Sequence, residues 1–172
     1  GDQDNPAIDL AFSYIDYLGT PTMSQAERSK RLYEIACDFS LSTNTNASTL
    51  AVSGLNENMP EAIRIAEDLV MNAQPDEAVL ANLKSDMIRS RFIAKTQQRS
   101  CYSALVNYMM YGPEVIKSTT LSNEALMALT SDELLGMVKD LFFKSHEILY
   151  YGPMDQKSAA ASLAENHQHE SA

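Results

Sequence analysis

A change of hydrophobic period at Cys37 constrains the fold of this chain more than any other feature. Before Cys37 the apolar residues recur at helical spacing, whereas apolar and polar residues alternate over Cys37–Thr43 and again around Leu50–Val52. Alternation puts the apolar side chains of a strand on one face. The polar stretch Asn44-Thr45-Asn46 separates the two runs. The segment is therefore predicted to be a β-hairpin with one solvent-exposed face.

Helix start and stop signals lie on both sides of this hairpin. A helical stretch over 7–18 meets Gly19, which is expected to end the helix in the left-handed conformation. Four more helices are predicted over 24–36, 60–73, 77–95 and 98–111. Capping residues predict where three helices begin: a Ser24/Glu27 box, Ser122, and a Thr130/Glu133 box. A last apolar strand is predicted over 146–151.

This order of elements predicts an α+β fold with helices packed on one face of a small antiparallel sheet. The 172 residues suffice for one domain, predicted over 6–155. Residues 1–5 are interpreted as a linker or an expression remnant, and the Ala-, Ser- and Gln-rich residues 156–172 as a linker or frayed tail. Three strands are few for so many helices. Further strands are therefore expected to precede residue 1, which would leave an exposed sheet edge here.

Charge excludes some classes of partner. The formal net charge is −10, which opposes binding to nucleic acid or to an anionic membrane surface. No apolar run reaches the length of a transmembrane helix, and no signal peptide opens the sequence. We expect a soluble protein, and both the cytoplasm and the periplasm remain possible compartments.

A search for catalytic and metal-binding motifs finds none. The histidines do not form a zinc-binding helix motif: His146 is expected at a strand end, and His167-Gln168-His169-Glu170 in a solvated tail. Cys37 and Cys101 are interpreted as buried apolar residues, with a disulfide as the alternative. Neither a nucleophile elbow nor a phosphate-binding glycine loop is present. We therefore predict no catalytic, cofactor-binding or metal-binding residue in this chain.

One segment reverses the overall charge. Residues 84–99 carry a net +4, from one acid and five basic residues: Lys84, Arg89, Arg91, Lys95 and Arg99. The simplest interpretation is a solvated helix face that pairs with the acidic helix over 57–68. The alternative is a surface that faces an acidic partner domain or a polypeptide ligand.

The order of several short patterns resembles a known family. The patterns are Leu18-Gly19-Thr20, Ser24–Ala36, Phe39–Val52, Gly54–Ile63, Pro75–Lys84, and Tyr-Gly-Pro at 151–153. Together they resemble a half-domain of the pitrilysin/insulinase family of zinc peptidases, the fold also found in mitochondrial processing peptidase. The resemblance covers about residues 6–155.

The resemblance implies a degenerate, non-catalytic copy. In the family's catalytic half-domain the first helix carries H-x-x-E-H, whose positions correspond here to Leu10, Ser13 and Tyr14. The later glutamate ligand would fall near Arg89 or Ser90. None of these residues can take over the zinc chemistry, so the chain alone is expected to be inactive.

The implied parent protein is a zinc metalloendopeptidase whose catalytic half holds the zinc. This chain would then supply scaffold and chamber wall. Its implied partners are the other half-domains and an unfolded peptide substrate, and a second copy could pair at the exposed sheet edge. Two alternatives remain: a free-standing interaction or assembly module with the same fold, and an active hydrolase whose catalytic residues the motifs do not reveal.

Overall fold

The computed structural model describes residues 5–44 and 47–167, the side chains of residues 117 and 118 excepted. Within these ranges the chain forms an α+β fold of mainly helices beside one two-stranded sheet. In order, the elements are α1 (Ile8–Asp16), α2 (Gln25–Glu34), β1 (Cys37–Thr43), β2 (Ser48–Gly54), α3 (Met59–Asn72), α4 (Glu77–Ala94), α5 (Gln98–Thr119), α6 (Asn123–Ala128), α7 (Ser131–Phe142) and α8 (Gln156–Asn166). Among the described residues, no helix combines the length and apolar character that crossing a bilayer requires.

The hairpin has the predicted form. Strands β1 and β2 pair antiparallel, with Phe39 opposite Val52 and Leu41 opposite Leu50. Exposure alternates along both strands, and the apolar members of these pairs lie on the less exposed face. Phe39 and Leu41 pack against the main core, so one sheet face covers helices and the other faces solvent. The connection at residues 45–46 lies outside the described residues.

Helix α1 lies at the centre of the core. It is apolar over most of its length, and Leu10, Tyr14 and Ile15 are among its fully buried side chains. It packs most extensively on α7 and also contacts β1 and α4. A second, smaller cluster joins α2 to the hairpin and α3 through Leu32, Ile35, Cys37 and Ala62. The helical spacing of apolar residues predicted the buried face of α3 correctly, since Ala62, Ala66 and Leu69 are buried. The inner side predicted for the second helix was Leu32, Tyr33, Ile35 and Ala36, and it is only half right, because Tyr33 is 87% exposed and Ala36 is also exposed.

The end of α1 differs from the prediction. Gly19 does not have a positive φ, so it does not close the helix in the left-handed conformation. Instead the buried Arg28 of α2 donates hydrogen bonds to the carbonyl oxygens of Asp16 and Leu18 at the end of α1. Glycine at position 19 lets the backbone near Met23 pack closely against it, because a Cβ there would lie 3.1 Å from the Met23 carbonyl oxygen.

The predicted capping residues occupy their expected positions. The Ser24/Glu27 and Thr130/Glu133 boxes are both complete, and the Ser122 side chain accepts from the Ala125 N–H. These hydrogen bonds satisfy N–H groups that have no partner within their own helix. The bonds that Glu27 and Glu133 accept lower the pKa of each carboxyl group.

The predicted strand over 146–151 does not form. Residues 145–151 have no regular secondary structure, and the sheet of the described residues contains only β1 and β2. A strand needs a neighbour for its backbone groups, and residue pattern alone does not supply one. Leu149 and Tyr151 are exposed, while the Tyr150 hydroxyl donates to Asn56 Oδ1 at 2.9 Å.

Two segments after the hairpin depart from a simple helix or tail. Helix α5 is interrupted at Gly112, whose φ of 74° breaks the helical path where the sequence predicted the helix to end. Residues 156–166, interpreted from composition as a linker or frayed tail, form helix α8, which Asp155 caps and which packs on α3.

The expected burial of Cys101 is wrong: Cys37 is buried, Cys101 is exposed on α5, and both are free thiols.

Candidate functional site

The first helix carries the residues Leu10, Ser13 and Tyr14, which the resemblance places at the positions of a zinc motif. Leu10 is 1% exposed and Tyr14 is 0% exposed, and both belong to the main core cluster. Ser13 is exposed on another face of α1. The two side chains that the resemblance would place at the histidine positions are therefore buried in packed protein. As predicted, both residues are buried, and the Tyr14 hydroxyl contacts the starts of α7 and α4.

The Tyr14 hydroxyl is held by groups from two other elements. It donates to Ser131 Oγ at 2.9 Å and accepts from the Asp76 backbone N–H at 2.8 Å. Ser131 begins α7 and Asp76 caps α4, so one side chain joins α1 to the starts of two helices. Buried hydroxyl groups are stable when both donor and acceptor capacities are used in this way. The position is a structural junction.

A shallow groove of about 380 Å³ lies between α1 and β1. Asp9, Ser13 and Asp16 line it from the helix, and Ser40 and Ser42 are among the strand residues that line it. Nowhere in the described part of the chain do three or more His, Cys, Asp or Glu residues form a group that could hold a metal ion. The groove thus offers carboxylates and hydroxyls without imidazole.

The position that the resemblance assigns to the later zinc ligand, Arg89 or Ser90, lies on α4. Arg89 and Ser90 are both exposed there, unlike Leu10 and Tyr14 in the core. The residues that would form a zinc site in the catalytic half-domain are therefore divided between the core and the surface.

The basic segment is not the uniform solvated face that the sequence suggested. Lys84 is buried, and its Nζ donates to the backbone carbonyls of Met127 and Leu129 at the end of α6. Arg91 donates to Asn123 Oδ1 at 2.7 Å. In the acidic helix α3, Glu61 instead pairs with Arg31 of α2, whose hydrogen bonds lower the pKa of the Glu61 carboxyl.

Helix α5 and the end of α4 carry many exposed apolar side chains, which are together called the α4–α5 surface. None of the described residues in either core cluster comes from α5. Met109 is 76% exposed, and it is one of nine large exposed apolar residues on this surface: Phe92, Ile93, Tyr102, Leu105, Tyr108, Met109, Met110, Tyr111 and Val115. Exposed basic residues, Lys95 and Arg99, lie between them in the sequence. An accumulation of large exposed apolar side chains is typical of surfaces that contact another protein.

A carboxylate on α3 fixes the turn that follows α1. Asp68 accepts hydrogen bonds from Thr20 and Thr22 at 2.8 Å each, and from Asn72 at 2.7 Å. Partial burial opposes ionisation of Asp68, but these hydrogen bonds outweigh it and lower its pKa. The turn is thus tied to α3 by an ionised group.

Two histidines meet although sequence motifs gave no reason to pair them. His146 follows α7 and His167 follows α8, and their Nε2 atoms lie 3.0 Å apart. Glu67 of α3 contacts Nδ1 of His167. His169, the other histidine of the predicted solvated tail, lies outside the described residues. Because 21 residues separate His146 from His167, only the packing of α8 brings them together.

Comparison with known proteins shows which solved structures share the fold of this chain. No family model matches the chain, and no curated protein matches it. Among solved structures, the periplasmic protease PqqL from Escherichia coli matches with a TM-score of 0.74 and 14% identity, over 96% of this chain and 19% of that protein. A mutant of the ferredoxin protease FusC, solved in complex with Arabidopsis ferredoxin, matches with a TM-score of 0.65 and 16% identity, over 80% of this chain and 15% of that protein.

These similarities give the chain the fold of a segment of pitrilysin-like proteases, in agreement with the predicted fold class. The chain spans less than a fifth of the length of either protease.

Proposed function

We propose that this chain is a non-catalytic domain of a pitrilysin-like zinc peptidase, where it contributes scaffold and wall to the chamber that encloses the peptide. The observation that carries the proposal is the burial of Leu10 and Tyr14 at the positions of the family's zinc-binding histidines. The shared fold with two proteases, each several times longer than this chain, supports it.

The chemistry of those positions argues against a zinc site in α1. A catalytic zinc needs about three protein ligands and a bound water that a carboxylate can activate. Leu10 has no donor atom, the Tyr14 hydroxyl is engaged by Ser131 and Asp76, and Ser13 supplies no carboxylate. The zinc of the intact enzyme would therefore be held by its catalytic half.

The α4–α5 surface provides a contact for the other half-domains. Its aromatic and Met side chains are more than half exposed in this chain, and association with a neighbouring domain would remove them from water. Lys95 and Arg99 would favour an acidic neighbour or an acidic polypeptide. The substrate class of the parent enzyme is proposed to be unfolded polypeptide.

A free-standing interaction or assembly module with the same fold is the alternative. The same α4–α5 surface would then bind a separate protein, or a second copy of this chain would pair with the sheet edge. The two functions differ in one property: only the peptidase domain belongs to a polypeptide that carries H-x-x-E-H.

The proposal is tested by assaying the purified chain for cleavage of a broad fluorogenic peptide library with and without added zinc. We expect no turnover above a boiled control. Zinc-dependent cleavage that disappears in a Ser13→Ala or Asp9→Asn variant, with the fold intact by circular dichroism, would instead assign catalysis to the groove beside α1. An Asp38→Asn variant on the solvent-exposed side of β1 is the matched control.

A further inference from the structure

We propose that His146 and His167 form a two-ligand binding site for a divalent transition-metal ion of the zinc class, in which Glu67 orients His167 through Nδ1 and does not itself bind the ion. The two Nε2 atoms would be the protein ligands, and water or further groups would complete the coordination. This site is separate from α1 and does not depend on the peptidase proposal.

The hydrogen bonds at Nδ1 prepare both rings for this role. His146 Nδ1 lies 2.9 Å from the backbone carbonyl oxygen of Lys144, which can only accept, so this nitrogen carries the proton. His167 Nδ1 likewise contacts the Glu67 carboxylate, which accepts when ionised. In neutral rings of this tautomer, both Nε2 atoms present lone pairs. Metal-binding histidines are commonly oriented in this way, by a carbonyl or carboxylate on the other nitrogen.

The separation of the Nε2 atoms suits a shared ion. With metal–nitrogen bonds of about 2.0–2.1 Å, two ligand nitrogens lie about 2.9 Å apart at a right angle and about 3.3 Å apart at the tetrahedral angle. The observed 3.0 Å falls between these values. The two ring planes are inclined at 82°, with centroids 5.2 Å apart, so the rings meet through their nitrogens and do not stack.

Imidazole ligands select the chemical class of the ion. Two neutral imidazoles suit zinc, copper, nickel and cobalt, whereas magnesium and calcium prefer oxygen ligands. The side chain of Glu67 is 11% exposed and that of His167 is 18% exposed, so the surroundings hold the second imidazole firmly. A bound ion would fasten the end of α8 to α3 and to the segment after α7.

A single proton shared between the two rings could lie between the Nε2 atoms in place of a metal ion. Binding measurements distinguish the proton from the metal. The full chain is titrated with ZnCl2 at neutral pH by calorimetry, and with CoCl2 by visible absorption in excess MgCl2. We expect one zinc per chain, with affinity falling as pH falls because the rings must be neutral. Cobalt bound by nitrogen ligands would give a d–d absorption spectrum, and excess magnesium should not displace the cobalt.

Variants assign the ligands. Glu67→Gln should weaken zinc binding about 10–100-fold, as expected for loss of a group that orients a ligand. His146→Ala should weaken zinc binding more. Because His146 is exposed, this substitution should not unfold the chain. His169→Ala is the matched control and should retain binding within about threefold.

The proposal is overturned by absence of stoichiometric zinc binding, or by binding that survives His146→Ala. Binding lost in His169→Ala but not in His146→Ala would also overturn it, because it would assign the ion to the tail alone. As an independent readout, zinc should slow amide hydrogen exchange in α8 of the unmodified chain and leave the His146→Ala variant unchanged.

Discussion

Tyr14→Phe removes one oxygen atom from the core and tests the packing of α1 at the position of a family zinc ligand. The lost hydroxyl donates to Ser131 Oγ and accepts from the Asp76 N–H. Ser131 is only 1% exposed, so water cannot replace the lost partner without disturbing the core. A buried polar group left without a partner costs about 1–3 kcal/mol. We expect a loss of that size in the free energy of unfolding.

The assay is urea unfolding followed by circular dichroism. A loss of about 2 kcal/mol shifts the midpoint by about 1 M if the slope is about 2 kcal/mol/M, and the slope itself should not change. Tyr17→Phe is the matched control, because Tyr17 is 58% exposed and its substitution should change stability by less than about 0.5 kcal/mol.

A double-mutant cycle identifies the cause. If Tyr14 and Ser131 are partners, Ser131→Ala should cost less in the Tyr14→Phe background than in the unmodified chain. Equal stability of Tyr14→Phe and the unmodified chain would mean that α1 presents a different face to the core. The correspondence between Tyr14 and a zinc-ligand position would then fail.

Three further results are expected. Leu10→Ala should reduce the free energy of unfolding by about 2–5 kcal/mol, because a core side chain is truncated; a change below about 0.5 kcal/mol in urea unfolding would contradict its burial. The lowered pKa of Asp68 contributes stability above the carboxyl's unfolded-state pKa, and this is lost as pH falls through the folded-state pKa; Asp68→Asn should flatten that part of an acid titration of stability, and an unchanged slope would argue against the hydrogen bonds. Tyr108→Ser and Met109→Ser should each change the stability of this chain by less than about 0.5 kcal/mol in thermal unfolding, because both side chains are exposed on α5, and a larger loss would mean that they are packed.

Local signals in the sequence predicted much of the fold. Capping boxes depend on residues three positions apart, so Ser24 with Glu27 and Thr130 with Glu133 could be identified without tertiary structure. The hairpin was equally predictable, because its alternation reports the two faces of a single sheet.

Features that depend on distant partners were not predictable. The segment 146–151 has the composition of a strand but no neighbouring strand among the described residues. The end of α1 depends on Arg28, ten residues beyond Leu18, and helix α8 depends on packing against α3. The candidate metal site combines His146 and His167 with Glu67, a hundred residues before His167. Local spacing contains no information about such contacts.

If this chain works as one domain of a larger zinc peptidase, the native polypeptide that contains it must be much larger and must cleave peptides. An antibody against the chain would capture that polypeptide from its source for measurement of intact mass, sequence and zinc-dependent peptide cleavage. We expect a polypeptide several times larger than the 19.0 kDa of this chain, with H-x-x-E-H outside residues 1–172 and peptidase activity. A native species of 19.0 kDa without peptidase activity would contradict it and favour the free-standing module.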